Sequence, residues 1–140
     1  MDLNLILTDA ADAEARAAIS DGLRDYNREQ ASFSDGKELS ALLSDPASGK
    51  VLGGLLGHTS YGVFFIDLFH LPAVLRRHGL GDRIMKLTEE EARRRGCTKA
   101  VVYTITFQAP EYYERHGYKR FGMVEVPPPG ASRVFLQKDL

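Results

Sequence analysis

The chain has 140 residues, of which 44% are hydrophobic and 26% charged, as in one soluble globular domain. A formal net charge of −1 gives no reason to expect a nucleic acid or an anionic membrane as partner. No apolar run has the length of a membrane span, and the N-terminus lacks the basic start and apolar core of a signal peptide. From this length we expect one domain over residues 1–140. The single cysteine, Cys97, excludes an internal disulfide, which fits a reducing cytoplasm.

The first half of the chain predicts a strand, a helix and three further strands. Asp9 and Asp12 can cap the helix, and Ala15, Ile19, Leu23 and Tyr26 recur in it at helical spacing. A polar, glycine-bearing loop follows over residues 32–37. The predicted strands are residues 3–8, 38–44, 51–60 and 63–71.

The second half alternates helices and strands before ending in two strands. The first helix, from Gly81, shows Ile84, Leu87, Thr88 and Ala92 and ends in three arginines, 93–95, before Gly96. These arginines are interpreted as a solvated helix end rather than a binding patch. Residues 109–116 suit a short helix, and the predicted strands are 99–106, 118–126 and 133–138.

A basic turn with two glycines, Arg76-Arg77-His78-Gly79-Leu80-Gly81, lies between the 63–71 strand and the helix after it. The unpaired N–H groups of a helix start, together with the macrodipole, favour a bound anion. The two glycines let a phosphate approach the main chain without a Cβ in the way. The turn therefore predicts a phosphate-containing ligand, with an ordinary strand-to-helix turn as the alternative.

Two other phosphate-binding patterns are excluded. The dinucleotide fingerprint G-x-G-x-x-G would need a glycine where Ile84 stands. A P-loop over residues 44–51 would lack its first glycine and its final hydroxyl. Asp45-Pro46 and Ser48-Gly49 in that stretch are typical of a turn between strands.

A second motif, Ala109-x-x-Tyr112-Tyr113-x-x-x-Gly117-Tyr118, follows the turn after a helix and a strand. With both motifs in this order, the chain resembles the GNAT-type N-acetyltransferases over residues 3–138. The turn from Arg76 to Gly81 matches their acetyl-CoA pyrophosphate loop. The second motif matches their aromatic pair ahead of Gly-Phe or Gly-Tyr.

The resemblance implies an α/β fold with a mixed sheet of six to seven strands, splayed between strands four and five and flanked by three to four helices. It implies acetyl-CoA as cosubstrate, with a backbone oxyanion donor near Leu71, and no metal. Thr106, three residues before Ala109, stands where the family often has a pantetheine-binding Asn. The predicted cofactor-binding residues are Phe69, His70, Leu71, Arg76, Arg77, His78, Gly79, Leu80, Gly81, Asp82, Thr106 and Tyr113.

Tyr113, four residues before Gly117, matches the family's general acid, which faces the thioester sulfur. The alternative role is a half-buried aromatic that holds the short helix to the sheet. Tyr112 resembles the family's packing aromatic. Cys97 is interpreted as a small buried residue and not as a nucleophile.

Asp67, nine residues before Arg76, is the candidate base, where the family tends to have an acid or histidine facing the acceptor. A carboxylate is a weak base for an ammonium, so it would act through a water or only once apolar neighbours had strengthened it. A structural carboxylate at the strand edge is the alternative. By strand alternation His70 is expected on the opposite face from Asp67. The other histidines, His58, His78 and His116, are interpreted as surface or packing residues that form no metal-ligand cluster.

The resemblance implies an enzyme that transfers an acetyl group from acetyl-CoA to a primary amine by direct attack in a ternary complex. A non-catalytic acetyl-CoA-binding sensor or regulatory module would show the same cofactor motifs. The expected partner is a small-molecule or protein amine, and proteins of this kind often form homodimers. The first helix and the loops near 33–37 and 127–130 would bind the acceptor, whose identity stays open.

Overall fold

The computed structural model describes residues 2–140, which fall into two compact units, one within residues 2–34 and one over Asp35–Leu140. The first contains a single helix, α1 (Ala13–Ala31). The carboxylate of Asp12 accepts the N–H of Ala15 at 2.8 Å and so caps the helix. No helix within residues 2–140 is long and apolar enough to span a membrane.

The strand predicted over residues 3–8 is wrong, because these residues form no regular secondary structure. A strand persists only through hydrogen bonds to a neighbouring strand. Within the described chain, every ladder joins strands that lie beyond residue 36.

The unit Asp35–Leu140 is built on one seven-stranded mixed sheet. Its strands are β1 (Lys37–Glu38), β2 (Ala41–Ser44), β3 (Val51–Ser60), β4 (Val63–His70), β5 (Lys99–Ile105), β6 (Lys119–Val126) and β7 (Ala131–Asp139). The order is β1-β3-β4-β5-β7-β6, and β2 also pairs with β3, so the single strand predicted over 38–44 is two strands. Only β4 and β5 are parallel. With α1, α2 (Leu80–Arg94) and α3 (Pro110–Arg115), this architecture confirms the predicted fold class.

Helix α2 crosses between the parallel strands and buries one stripe of side chains. The stripe includes Ile84 and Met85, which belong to one core cluster with Phe64 and Ile66 of β4. Leu87, one of the four residues that the sequence analysis singles out in this helix, lies outside the stripe and is 57% exposed. The buried residues of α2 are Ile84, Met85, Thr88, Glu89 and Ala92.

Glu89 is a buried acid on the stripe, and both oxygens of its carboxylate accept a hydrogen bond. It accepts the Tyr118 hydroxyl at 2.7 Å and the Lys138 ammonium at 2.8 Å. A buried charge is tolerated only when it is paired and hydrogen-bonded. These contacts join α2 to β7 and to the residue that precedes β6.

Candidate functional site

The parallel strands β4 and β5 part halfway along their length. Their pairing runs from Val63 opposite Lys99 to Ile66 opposite Val102. Beyond that point β4 continues along β3 and β5 continues along β7. Each strand therefore presents backbone N–H and C=O groups towards the gap with no ladder partner there. An extended ligand arm can add to such an edge as a strand does.

A β-bulge lies on β4 at the start of this gap. Gly57 of β3 is opposite Ile66, whereas Leu56 is opposite Leu68. Asp67 is thus the extra residue of the bulge. An inserted residue shifts the alternation of the side chains that follow by one position.

The shift changes which side chains share a face. Phe64 and Ile66 before the bulge, and Phe69 after it, all belong to or pack against the core cluster. Asp67 instead reaches the opposite face, and alternation from Phe69 puts His70 on that face as well. The prediction that Asp67 and His70 project to opposite faces is therefore wrong.

The glycine turn ends at the start of α2 as the sequence predicts. Gly79 has a φ of +75° and is the N-cap residue, with no side chain bonded to the helix's first N–H groups. Arg77 also adopts a positive φ, +64°. The Nε of Arg76 donates to the carbonyl of Leu71 at 2.8 Å, which ties the turn to the end of β4. The first N–H groups of α2 are left for a ligand.

A cluster of polar side chains links the start of α2 to α3. The Tyr112 hydroxyl donates to Asp82 at 3.2 Å, and the Nε2 of His116 lies 3.0 Å from the same carboxylate oxygen. Burial, reinforced by the Asp82 carboxylate, raises the pKa of Tyr112 well above its usual value. A Cβ at Gly81 would stand 2.8 Å from the Tyr112 oxygen, so this glycine makes room for the Tyr112 side chain. Asp82, predicted as a cofactor-binding residue, is engaged with α3.

Tyr113 is buried, yet its hydroxyl is available. The residue is 8% exposed, and its ring packs edge-on against Tyr112 and Tyr118. Burial raises the pKa of Tyr113 to about 12, so the phenol is protonated at neutral pH. Within residues 2–140 every fully buried side-chain nitrogen or oxygen has a hydrogen-bond partner, whereas the Tyr113 hydroxyl makes no hydrogen bond to these residues. The hydroxyl therefore keeps contact with solvent and can donate to a ligand.

Two predicted cofactor-binding residues, Phe69 and Thr106, make contacts within the fold, and Cys97 has no role in the site. Phe69 lies edge-on to Tyr112, with ring centroids 5.9 Å apart. The Oγ1 of Thr106 accepts the N–H of Ser132 at 3.1 Å and so joins the end of β5 to β7. Burial raises the pKa of the Cys97 thiol, which keeps it protonated and disfavours a nucleophilic role. Across residues 2–140 no group of three or more potential ligands is arranged to hold a metal ion.

The candidate base has a partner that the sequence analysis missed. The Nδ1 of His58 lies 2.8 Å from Oδ2 of Asp67, and the imidazole stacks on Phe65 at 4.8 Å between centroids. His58 is opposite Phe65 in the ladder, so Asp67 is its diagonal neighbour on the same face. The turn at Tyr61-Gly62 places Ser60 opposite Val63 and so predicts the register of β3 and β4. Continuing that register along both strands brings His58 opposite Phe65 and could have identified the His58–Asp67 pair from the sequence.

Several known proteins are similar to this chain in sequence and in fold. Residues 6–118 match the model of the Acetyltransferase (GNAT) family. The chain is 36% identical to Acetyltransferase Atu2258 of Agrobacterium fabrum over 136 residues, 97% of this chain and 98% of that one. It is 38% identical to the Blasticidin-S acetyltransferase of Streptomyces morookaense over 93 residues, 66% of this chain and 68% of the relative. The crystal structure of an assigned acetyltransferase from Agrobacterium tumefaciens superposes with a TM-score of 0.86 at 36% identity, covering 99% of this chain and 100% of that one.

Proposed function

Because the chain belongs to the Acetyltransferase (GNAT) family, we propose that it moves an acetyl group from acetyl-CoA to a primary amine by direct attack in a ternary complex. The observation behind this proposal is the gap between β4 and β5, which opens after Ile66 and Val102. The glycine turn follows the open end of β4, and the available Tyr113 hydroxyl lies on α3. The turn, the gap and the hydroxyl correspond to the three needs of the reaction, namely a phosphate site, a pantetheine site and a proton donor.

Acetyl-CoA is bound mainly by backbone groups rather than by side chains. The N–H groups at the start of α2 hold the pyrophosphate, and the helix macrodipole strengthens that contact. The edges of β4 and β5 pair with the amides of the pantetheine arm, and the oxyanion donor is a backbone N–H near Leu71. Arg77 adds a positive charge at the turn, whereas the Nε of Arg76 already donates a hydrogen bond to the Leu71 carbonyl.

The chemical part assigns one proton to Tyr113. The amine nitrogen bonds to the acetyl carbon, the carbon–sulfur bond breaks, and the sulfur takes the proton of the Tyr113 hydroxyl. Alignment of the two reactants supplies about 7–11 kcal/mol of the barrier. A positioned proton donor supplies about 10²–10⁴-fold in rate, so the hydroxyl is the smaller of the two contributions.

For the acceptor, we propose a small-molecule amine rather than a protein amine. The support is the relative named a Blasticidin-S acetyltransferase, to which this chain is 38% identical over 93 residues. Blasticidin S is therefore the first acceptor to test. A pooled amine screen, with release of free thiol from acetyl-CoA as readout, extends the search to other amines.

Tyr113→Phe tests the proposed reaction. The ring keeps its packing while the proton is lost, so turnover should fall by about 10²-fold or more. Affinity for acetyl-CoA, measured by calorimetry, should stay within a few-fold of the parent. Tyr61→Phe, a tyrosine in the β3–β4 turn, is the matched control and should keep both values.

Two results would count against this assignment. Normal turnover in Tyr113→Phe would make that side chain a packing residue only. A parent protein that binds acetyl-CoA but acetylates no amine in a broad screen would favour the non-catalytic sensor instead.

A further inference from the structure

His58 and Asp67 form an imidazole–carboxylate pair at the level where the sheet opens. Ile66 is the last β4 residue paired with β5, and Asp67 is the next residue along the chain. The Nδ1 of His58 lies 2.8 Å from the Asp67 carboxylate. Both side chains remain open to solvent, with 44% of the His58 side chain exposed and 48% of that of Asp67. The pair is therefore accessible to a ligand at the mouth of the gap.

The pair lies on the face of the sheet opposite the glycine turn and α2. Thr59, the neighbour of His58 in β3, is buried on the α2 side, where its Oγ1 accepts a hydrogen bond from Arg95 at 3.1 Å. Alternation along β3 directs His58 to the other face. A donor held from the α2 side and an acceptor arriving from the His58 side would meet in the gap between β4 and β5.

We propose that His58 is the general base that takes the proton from the acceptor amine, and that Asp67 is its positioning residue. The proposal rests on the proposed acetyl transfer and adds a base to it. An imidazole is a stronger base than a carboxylate and exchanges protons near neutral pH. With the Nδ1–H donated to Asp67, the neutral ring holds its lone pair on Nε2. That nitrogen makes no hydrogen bond within residues 2–140.

Stacking and charge hold the imidazole in this orientation. The Phe65 ring lies nearly parallel to it, with 14° between the planes, which restricts rotation of the imidazole. The charged groups that face His58 are Asp67 on β4 and Glu38, its ladder partner on β1. Of these two, Asp67 is the carboxylate that is hydrogen-bonded to the imidazole. The Glu38 carboxylate is also bonded to the Ser40 hydroxyl at 3.1 Å.

With His58 as base, both protons that move in the reaction have a donor and an acceptor. The amine nitrogen bonds to the acetyl carbon and releases one proton to Nε2 of His58. The sulfur leaves with the bonding electron pair and takes the proton of Tyr113. The imidazolium and the tyrosinate return to their starting states by exchange with solvent.

Nitrogen-15 NMR of the His58 ring tests the geometry without an activity assay. In the parent, the neutral ring should be mainly the Nδ1–H tautomer with an unprotonated Nε2. In Asp67→Ala this preference should be lost, because no acceptor remains for the Nδ1–H. A parent ring mainly in the Nε2–H form would overturn the proposal, since no lone pair would face the acceptor.

Turnover tests the chemical role in parallel. His58→Gln should lose about 10²-fold or more in kcat, and Asp67→Ala should lose less, while both bind acetyl-CoA within a few-fold of the parent. Glu38→Gln is the matched control, because it removes the other facing carboxylate and should keep kcat. An active parent whose His58→Gln variant keeps its kcat would refute the base alone. A parent inactive on every amine would refute the acetyl transfer and, with it, any base.

Discussion

Gly79 shows at the scale of one residue how backbone conformation and ligand site depend on each other. Its φ of +75° is costly for any residue with a Cβ, and nothing lies within 4 Å of the position where a Cβ would stand. The space beside the first turn of α2 is therefore open. A side chain at this position would strain the turn and would also fill the proposed pyrophosphate site.

Gly79→Val should greatly weaken acetyl-CoA binding measured by calorimetry, because the new side chain occupies that space. The strain alone costs about 1–2 kcal/mol of stability, so a control must carry the same strain elsewhere. Gly49→Val does so, since Gly49 has a φ of +73° and open space in the β2–β3 turn. The control should lose similar stability in urea yet bind acetyl-CoA as the parent does. Equal affinity in both variants would contradict the pyrophosphate assignment.

At the scale of one element, α2 is fixed at both ends by side chains. Near its start, the Asp82 carboxylate is hydrogen-bonded to Tyr112 of α3 and to His116, which follows α3 directly. Past its end, Arg95 donates to the carbonyl of Glu38 at 2.9 Å as well as to Thr59. The interpretation of the arginines as a solvated end holds for the exposed Arg93 and Arg94 but is wrong for Arg95, whose side chain is only 20% exposed.

Glu91 is part of the same helix end. Its carboxylate accepts from Arg95 at 3.0 Å and from Arg94 at 2.9 Å. These two guanidinium groups lower the pKa of Glu91, with Arg95 the larger cause. The pairs follow the i,i+4 and i,i+3 spacing that favours opposite charges on a helix.

Glu89, in the middle of α2, is paired with Lys138 of β7. Lys138→Met should destabilise the protein more than Glu89→Gln does. The first change leaves the Glu89 carboxylate, 7% exposed, without its counter-ion, and breaking a buried pair in this way costs about 3–5 kcal/mol. The second removes the buried charge, and the Lys138 ammonium, at 20% side-chain exposure, can reach water along its flexible stem. Urea unfolding of the two variants measures the difference. The reverse order would mean that the lysine, not the glutamate, is the charge that the fold cannot leave unpaired.

For the molecule as a whole, three tyrosines make the free energy of unfolding depend on pH. Burial is the main cause that raises the pKa of Tyr112, Tyr113 and Tyr118, and Tyr113 reaches about 12. The unfolded chain loses these phenolic protons near pH 10, before the native state does. Their contribution is therefore fully present below about pH 10 and is lost as the pH rises through the native pKa values.

We expect the free energy of unfolding to fall between pH 10 and 12, and Tyr113→Phe to reduce that slope. One phenol contributes up to about 1.4 kcal/mol per pH unit in this window. Urea unfolding at a series of pH values measures the slope. The comparison variant is Tyr61→Phe, at a tyrosine that is 41% exposed. Parallel curves for the parent and Tyr113→Phe would show that this phenol titrates alike in both states.

The fold class, the family and the order of elements from α1 to β7, apart from the division of residues 38–44 into β1 and β2, could be predicted from the sequence. These depend on local patterns, such as apolar periodicity in α2, dense β-branched residues in β5 and the spacing of Gly79, Gly81, Tyr113 and Gly117. Spacing within one segment predicts what that segment does, because neighbours in sequence are then neighbours in space.

The contacts between residues of different segments could be read only from the three-dimensional structure. The bulge at Asp67 depends on how β3 and β4 pair, and it reverses the faces that alternation alone predicts for His70. The absence of a strand over 3–8 depends on which edges are paired, and the burial of Arg95 depends on contacts with β1 and β3. His58 and Asp67 differ from these cases, because the Tyr61-Gly62 turn sets the register that makes them diagonal neighbours. The bulge, the unpaired segment 3–8 and the contacts of Arg95 each involve two chain segments at once, so no pattern within one segment specifies them.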